Sequence, residues 1–312
     1  MTLAHPWPSL DYRDWSDTWH TLHRWLQIVG KIRTAHTPWV NHSWHVTLSV
    51  TPRGLTTTAI PYGDGAFELT FDFIDHELLI QLSDGQRRAL PLQPMPVATF
   101  YEQVFGVLRD LGLDLSIHGR PNELEDDLPF AEDHMHASYD PEAAHRFWLV
   151  LLHSQRVFQQ FRARFAGKCS PVHFFWGSGD LAVTRFSGET APPHPGGIPN
   201  LPDWIAREAY THEVSSAGFW PGSAASPFPM FYSYAYPEPD GFSSSAVTPA
   251  EAYYSTDLRE FVLPYEAVRS AADPDTALLS FLQSTYEAAA TLGAWDRDGL
   301  EQATARREPA IR

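Results

Sequence analysis

An order of elements that runs twice through the chain constrains its fold more than any other feature. The two lysines, Lys31 and Lys168, each stand directly behind a glycine, and each Gly-Lys pair closes a long amphipathic stretch. In the first stretch Trp15, Trp19, Leu22, Leu26 and Val29 recur at spacings of three and four, which places them on one helix face. In the second, Asp140 can cap a helix, Pro141 fits its first turn, and Phe147, Leu151, Phe158, Phe161 and Phe165 supply the apolar stripe. A glycine followed by a cation suits a helix C-terminus and its dipole. β-rich runs follow each helix, over 45–50, 66–73 and 78–82 in the first half and over 180–186 in the second. Both halves then close on a helix flanked by proline and glycine, 96–111 before Gly112 and 274–292 before Gly293. The pattern predicts an α+β fold: two similar helix–strands–helix halves with antiparallel sheet, sharing one core. The halves fall at 1–120 and 142–295, with a connection over 121–141 and a tail over 296–312.

Two segments break the symmetry. Eleven of the 26 prolines lie between Gly188 and Pro249, beginning with Pro192-Pro193-His194-Pro195-Gly196-Gly197. Most of such a segment cannot be regular helix or central strand, so 188–249 is expected to be a long insertion in the second half. Trp204, Phe219, Trp220, Phe228, Phe231, Tyr232, Tyr234 and Tyr236 argue against disorder there and for a cover packed on the core. The connection 121–141 holds seven acids and no lysine or arginine, the composition of a solvated linker.

Charge and cysteine narrow the partners. Lysine plus arginine number 22 against 38 aspartate plus glutamate, a net charge of −16. That balance argues against nucleic acid or an anionic membrane surface as the main partner. A single cysteine, Cys169, excludes an intrachain disulfide and a multi-cysteine zinc site, and fits a reducing compartment. No run approaches the roughly 18 apolar residues of a membrane helix, and the first ten residues lack the pattern of a leader. The expectation is a soluble, cytoplasmic protein of unreadable oligomeric state.

Familiar catalytic motifs are missing: H-E-x-x-H, G-x-G-x-x-G and G-x-S-x-G do not occur. Nor are the Gly-Lys pairs phosphate loops, because Trp25 and Arg162 stand where such a loop needs glycine. Four segments do form a recognisable set: Ile28-Val29-Gly30-Lys31-Ile32-Arg33, the run from Gly167-Lys168-Cys169 to Trp176-Gly177, Pro192-Pro193-His194-Pro195-Gly196-Gly197, and His212-Glu213 through Phe219-Trp220. Together they resemble a bacterial domain-of-unknown-function family, number 5996, from about Pro6 to Trp295. The resemblance implies a bacterial protein of one family-wide unit and carries no activity or site residue with it.

Candidate chemistry concentrates in the second half. His173 and Asp180 flank a Gly177-Ser178-Gly179 turn, where backbone can approach a ligand; His194 sits among prolines that fix its backbone; His212 and Glu213 open a Ser-Ser-Gly-aromatic stretch. His173, Asp180, His212 and Glu213 are the candidate acid–base groups, since imidazoles near neutrality serve as either acid or base. Arg185 is the candidate anion anchor, and Trp176, Trp220 and Tyr234 the candidate apolar wall for a small molecule. His173, His194, His212 and Glu213 also match the first shell of a divalent metal, Fe, Mn or Zn. The competing reading is that these side chains only hydrogen-bond an irregular loop to the core. Other polar groups have plainer readings: His134-Met135-His136 as solvent-exposed linker, Asp75-His76-Glu77 as a turn tip, Cys169 as a small buried hydrophobe. Two functions follow, a small-molecule enzyme with its site under 188–249, or a non-catalytic module binding a ligand or protein through the aromatic insertion.

Overall fold

The computed structural model describes residues 7–302. The first six residues of the stretch read for a leader, and 303–312 of the expected tail, lie outside the described residues. Helix α1 (Tyr12–His36) starts where the Asp11 carboxylate accepts the Arg13 backbone N–H. Its stripe of Trp15, Trp19, Leu22, Leu26 and Val29 is buried, as an amphipathic helix requires. The opposite face is not left to solvent: Arg24, Gln27 and Lys31, spaced three and four apart, are buried too.

Buried polar groups need partners, and the acidic connection supplies them. Asp126 and Asp133 take the Arg24 guanidinium at 2.9 and 3.2 Å. Gln27 donates to the Asn122 carbonyl and accepts the Asn122 backbone N–H, both at 2.8 Å. Asp133 is fully buried and also accepts the backbone N–H groups of Met135 and His136. Most of the segment's acids stay exposed, yet it is also a strap laid on α1, because Asp126 and Asp133 meet the α1 cation Arg24.

Helix α1 also runs on past Gly30-Lys31, which were expected to end it. Gly30 has another reason to be there: a Cβ at this position would lie 2.1 Å from the Trp176 indole, so glycine alone lets helix and ring approach.

The first half continues as β1 (Ser49–Val50), β2 (Gly54–Thr56), β3 (Ile60–Tyr62), β4 (Gly65–Asp72), β5 (Glu77–Leu82), β6 (Arg87–Pro91) and helix α2 (Val97–Asp110). These strands form a six-stranded antiparallel sheet in the order β1-β2-β4-β5-β6, with β3 on β4. Helix α3 (Pro141–Ala163) opens the second half, its first N–H groups capped by Asp140. Strands β7 (His173–Phe175), β8 (Asp180–Thr190), β9 (His212–Trp220), β10 (Met230–Tyr236), β11 (Tyr253–Ser255) and β12 (Glu260–Pro264) follow, with α4 (Asp203–Ala209) between β8 and β9. Helices α5 (Tyr265–Arg269), α6 (Pro274–Leu292) and α7 (Arg297–Leu300) complete the chain, α7 within the expected tail. The second sheet is again six-stranded and antiparallel, but its order is β11-β12-β10-β9-β8-β7. Leu48 and Phe174 exchange backbone hydrogen bonds at 2.8 Å each way and stitch the two sheets together.

The proline-rich segment corrects an expectation. Two central strands of the second sheet, β9 and β10, lie inside 188–249, so the segment is not simply inserted between elements. None of its prolines falls within a strand, and three stand at strand borders: Pro221 follows β9, Pro229 precedes β10 and Pro237 follows it. A missing N–H costs nothing where the ladder stops. Among the described residues no helix is long and apolar enough to cross a membrane.

Candidate functional site

A strand sends alternate side chains to opposite faces, and β8 shows the consequence. Leu181, Val183 and Arg185 turn toward α3 and α6, and Asp180, Ala182, Thr184 and Phe186 line a hollow on the other face. Val214 and Ser216 of β9, Tyr232 and Tyr234 of β10, and Phe175 of β7 extend this floor. The hollow measures about 810 Å³. Lys31, Thr34 and Ala35 of α1 form one wall, with Trp39, Trp44 and Val46 beside them and Asn122 and Glu123 of the strap at one end.

Residues 198–210, including α4, roof it. Both Glu208 carboxylate oxygens accept the His42 backbone N–H at 3.0 Å, and the Ala209 carbonyl lies 2.8 Å from His42 Nδ1. On the strap side, the Glu123 N–H donates to the Pro199 carbonyl at 3.0 Å and the Asn200 amide to the Leu124 carbonyl at 2.6 Å.

Polar groups stand among the mostly apolar lining of this space. The Asp180 carboxylate accepts the hydroxyls of Ser178 and Tyr232. Tyr232 stands on β10 and reaches β8 by crossing Gly218, where a Cβ would come within 2.4 Å of its hydroxyl. The Tyr210 and Tyr234 hydroxyls meet at 2.6 Å, and Thr184 bonds Ser216 at 2.8 Å. Lys31 Nζ donates to Asn122 Oδ1 and sits 5.3 Å from the centre of the Trp176 ring. Gly177 makes room for Glu123, whose Oε1 would lie 2.0 Å from a Cβ there.

Burial dominates the electrostatics. It pushes the Glu123 carboxyl up to about 7, helped by Asp180 and opposed by Lys31. It raises Asp180 in spite of its two hydroxyl donors. Burial also pulls the Lys31 ammonium down to about 8, against the attraction of Glu123. On β12, Glu260 rises to about 8 through burial and the nearby Asp180. Acid and amine have thus moved toward each other, so a proton can be given or taken here near neutral pH.

Of the residues singled out from the sequence, Asp180, Trp176 and Tyr234 line the hollow. Arg185 does not, because its odd position turns it to the other face: its guanidinium lies 3.5 Å from the Phe161 ring centre and 4.2 Å from that of Tyr286. It donates to the Phe161 carbonyl and is a core cation, so it cannot anchor an anion in the hollow. His173 is buried against Phe175, and burial pushes its imidazole down to about 3. His194 stacks on Tyr210 at 4.7 Å, His212 meets the edge of His42 at 6.0 Å, and Trp220 donates to the Ser178 carbonyl at 3.3 Å. Glu213 shares the alternation of Ser215 and Ala217, away from the hollow. His173, His194, His212 and Glu213 therefore do not converge as a metal shell. Among the described residues no group of three or more His, Cys, Asp or Glu could hold a metal ion. Burial raises the Cys169 thiol to about 11, against the activated form of a nucleophile.

Lys31, Asn122 and Glu123 escaped the sequence reading as site residues. The signal for Lys31 was present: His20, Arg24, Gln27 and Lys31 are spaced four, three and four apart, a polar stripe opposite the apolar one.

A family model described as "Family of unknown function (DUF5996)" matches residues 7–302. The chain belongs to this family. No curated protein and no solved structure matches the chain. In this DUF5996 member the function must therefore be argued from the hollow itself.

Proposed function

We propose that the chain binds a small organic molecule, with a flat apolar body and one polar end, in the hollow above the second sheet. The observation that carries this is the hollow's form: about 810 Å³, within the roughly 300–1,000 Å³ of ligand sites, mostly apolar in its lining with Lys31, Glu123 and Asp180 among its few charged groups. Trp39, Trp44, Phe175, Trp176 and Phe186 suit the body, and Lys31, Asn122, Glu123 and Asp180 suit the polar end. A second reading, that the molecule is also transformed, is favoured by the shifts of Glu123 and Lys31 toward neutrality. In that reading acid–base work falls to Glu123 and Asp180, and the histidines weighed from the sequence have no part in it.

The test fills the hollow. Ala182 lies on the floor of β8, and Ala182→Phe puts a ring into the space. 2-Naphthol is expected to quench tryptophan fluorescence saturably in the wild type and at least tenfold more weakly in the variant. Ala209→Trp, from the roof, repeats the test if the first variant misfolds. Equal affinity in wild type and filled variants would overturn the proposal.

A further inference from the structure

We propose that Lys31 is a nucleophilic amine that forms an imine with an aldehyde or ketone carried by an apolar ligand in the hollow. The inference rests on the binding reading above and names the chemical class of the ligand. Four observations carry it. Lys31 is 6% exposed, yet it lines the hollow. Its hydrogen bond goes to the neutral Asn122 Oδ1 rather than to a carboxylate, so only the more distant Glu123 favours a charged ammonium. The Trp176 ring lies 5.3 Å from Nζ, an apolar flank beside the amine. Finally, Asn122 is followed directly by Glu123, so the strap that holds the amine also brings a carboxyl group.

Desolvation is a recognised way of making a lysine nucleophilic toward carbonyls. With its ammonium pulled down to about 8, about a tenth of Lys31 is neutral at pH 7. For an ordinary lysine the neutral share is only about four in ten thousand. In the step itself, the Nζ lone pair bonds to the carbonyl carbon as the C=O π pair moves to oxygen. Glu123 gives that oxygen a proton, and its carboxylate takes one from nitrogen. Glu123, reprotonated by that transfer, gives the hydroxyl its second proton; the C–O bond breaks, water leaves, the nitrogen lone pair forms C=N, and the carboxylate takes the remaining N–H proton. Amine plus carbonyl becomes imine plus water, with no oxidant or reductant required.

The chain has only two lysines, and the comparison is Lys168, exposed overall but with its Nζ against His42 and over the Phe186 ring at 4.7 Å, where burial lowers it as well. The full-length protein is treated with 2-naphthaldehyde and sodium cyanoborohydride, which reduces any imine to a stable amine, and the labelled positions are read by peptide mass spectrometry. Lys31 is expected to label at least tenfold faster than Lys168, saturably, with a rate rising through pH 8 rather than above 10. Glu123→Gln is expected to slow labelling at Lys31 severalfold. If 2-naphthol binds but Lys31 labels no faster than Lys168, the imine proposal is overturned and the binding reading stands. If neither compound binds, both fall.

Discussion

Glu123 illustrates how much a single partly buried carboxyl can do. Its folded value of about 7 stands above the ordinary 4.5. Between those pH values the unfolded chain has released the proton that the folded chain keeps, so this group makes stability fall as pH rises, levelling off above about 7. His23 and His173, pushed down by burial to about 4 and about 3, act in the opposite sense, since there the unfolded chain holds the extra proton. The net curve of the wild type therefore mixes both signs, and the difference against Glu123→Gln reports Glu123 together with its pull on Lys31. Urea midpoints from pH 4 to 8 are expected to show the variant gaining on the wild type as pH rises. The gain should reach on the order of 2 kcal/mol near pH 7, after discounting for partial exposure. A difference that stays flat with pH would show that Glu123 titrates normally.

Among the elements, the strap over 121–136 matters most, because it converts a charge on α1 into a position for Asn122 and Glu123. Asp133 is the fastening: fully buried, it takes Arg24, the ring of His136 at 2.8 Å and two backbone N–H groups. Removing one partner of a buried pair leaves an uncompensated charge, which costs about 3–5 kcal/mol. Asp133→Ala is expected to lose that much in denaturant unfolding and to raise amide exchange across 121–136. Unchanged exchange there, with a loss under about 1 kcal/mol, would mean the strap is held by its backbone alone. The roof is fastened differently, through the Glu208 carboxylate and the His42 N–H.

The whole molecule is one structure because α1 serves both halves. Its His23 Nε2 lies 2.9 and 3.0 Å from the Trp176 and Gly177 carbonyls of the second half, and Leu48 pairs with Phe174 across the sheets. The hollow itself takes a wall from the first half and its floor from the second. Chemical unfolding is accordingly expected as one cooperative transition, with far-ultraviolet circular dichroism and tryptophan fluorescence superimposing. Two separated midpoints would show that the halves fold independently.

How far the sequence carries one through this molecule depends on the range of the interaction. Helix ends were legible because caps and spacing are local: Asp140 before α3, Pro274 opening α6, Gly293 after it. The chemistry was harder. Arg185 and Asp180 stand five residues apart on one strand, yet alternation sends one into the core and the other into the hollow, and only the packing of α3 and α6 says which face is which. Prolines in the second half suggested an insertion, although they were marking the edges of β9 and β10. Local spacing decided which side chains share a face of α1, polar stripe included. What covers that stripe, and so whether Lys31 meets water or the Trp176 ring, was decided only when a segment some ninety residues downstream folded back onto it. Periodicity is a property of neighbours along the chain, whereas desolvation is a property of neighbours in space.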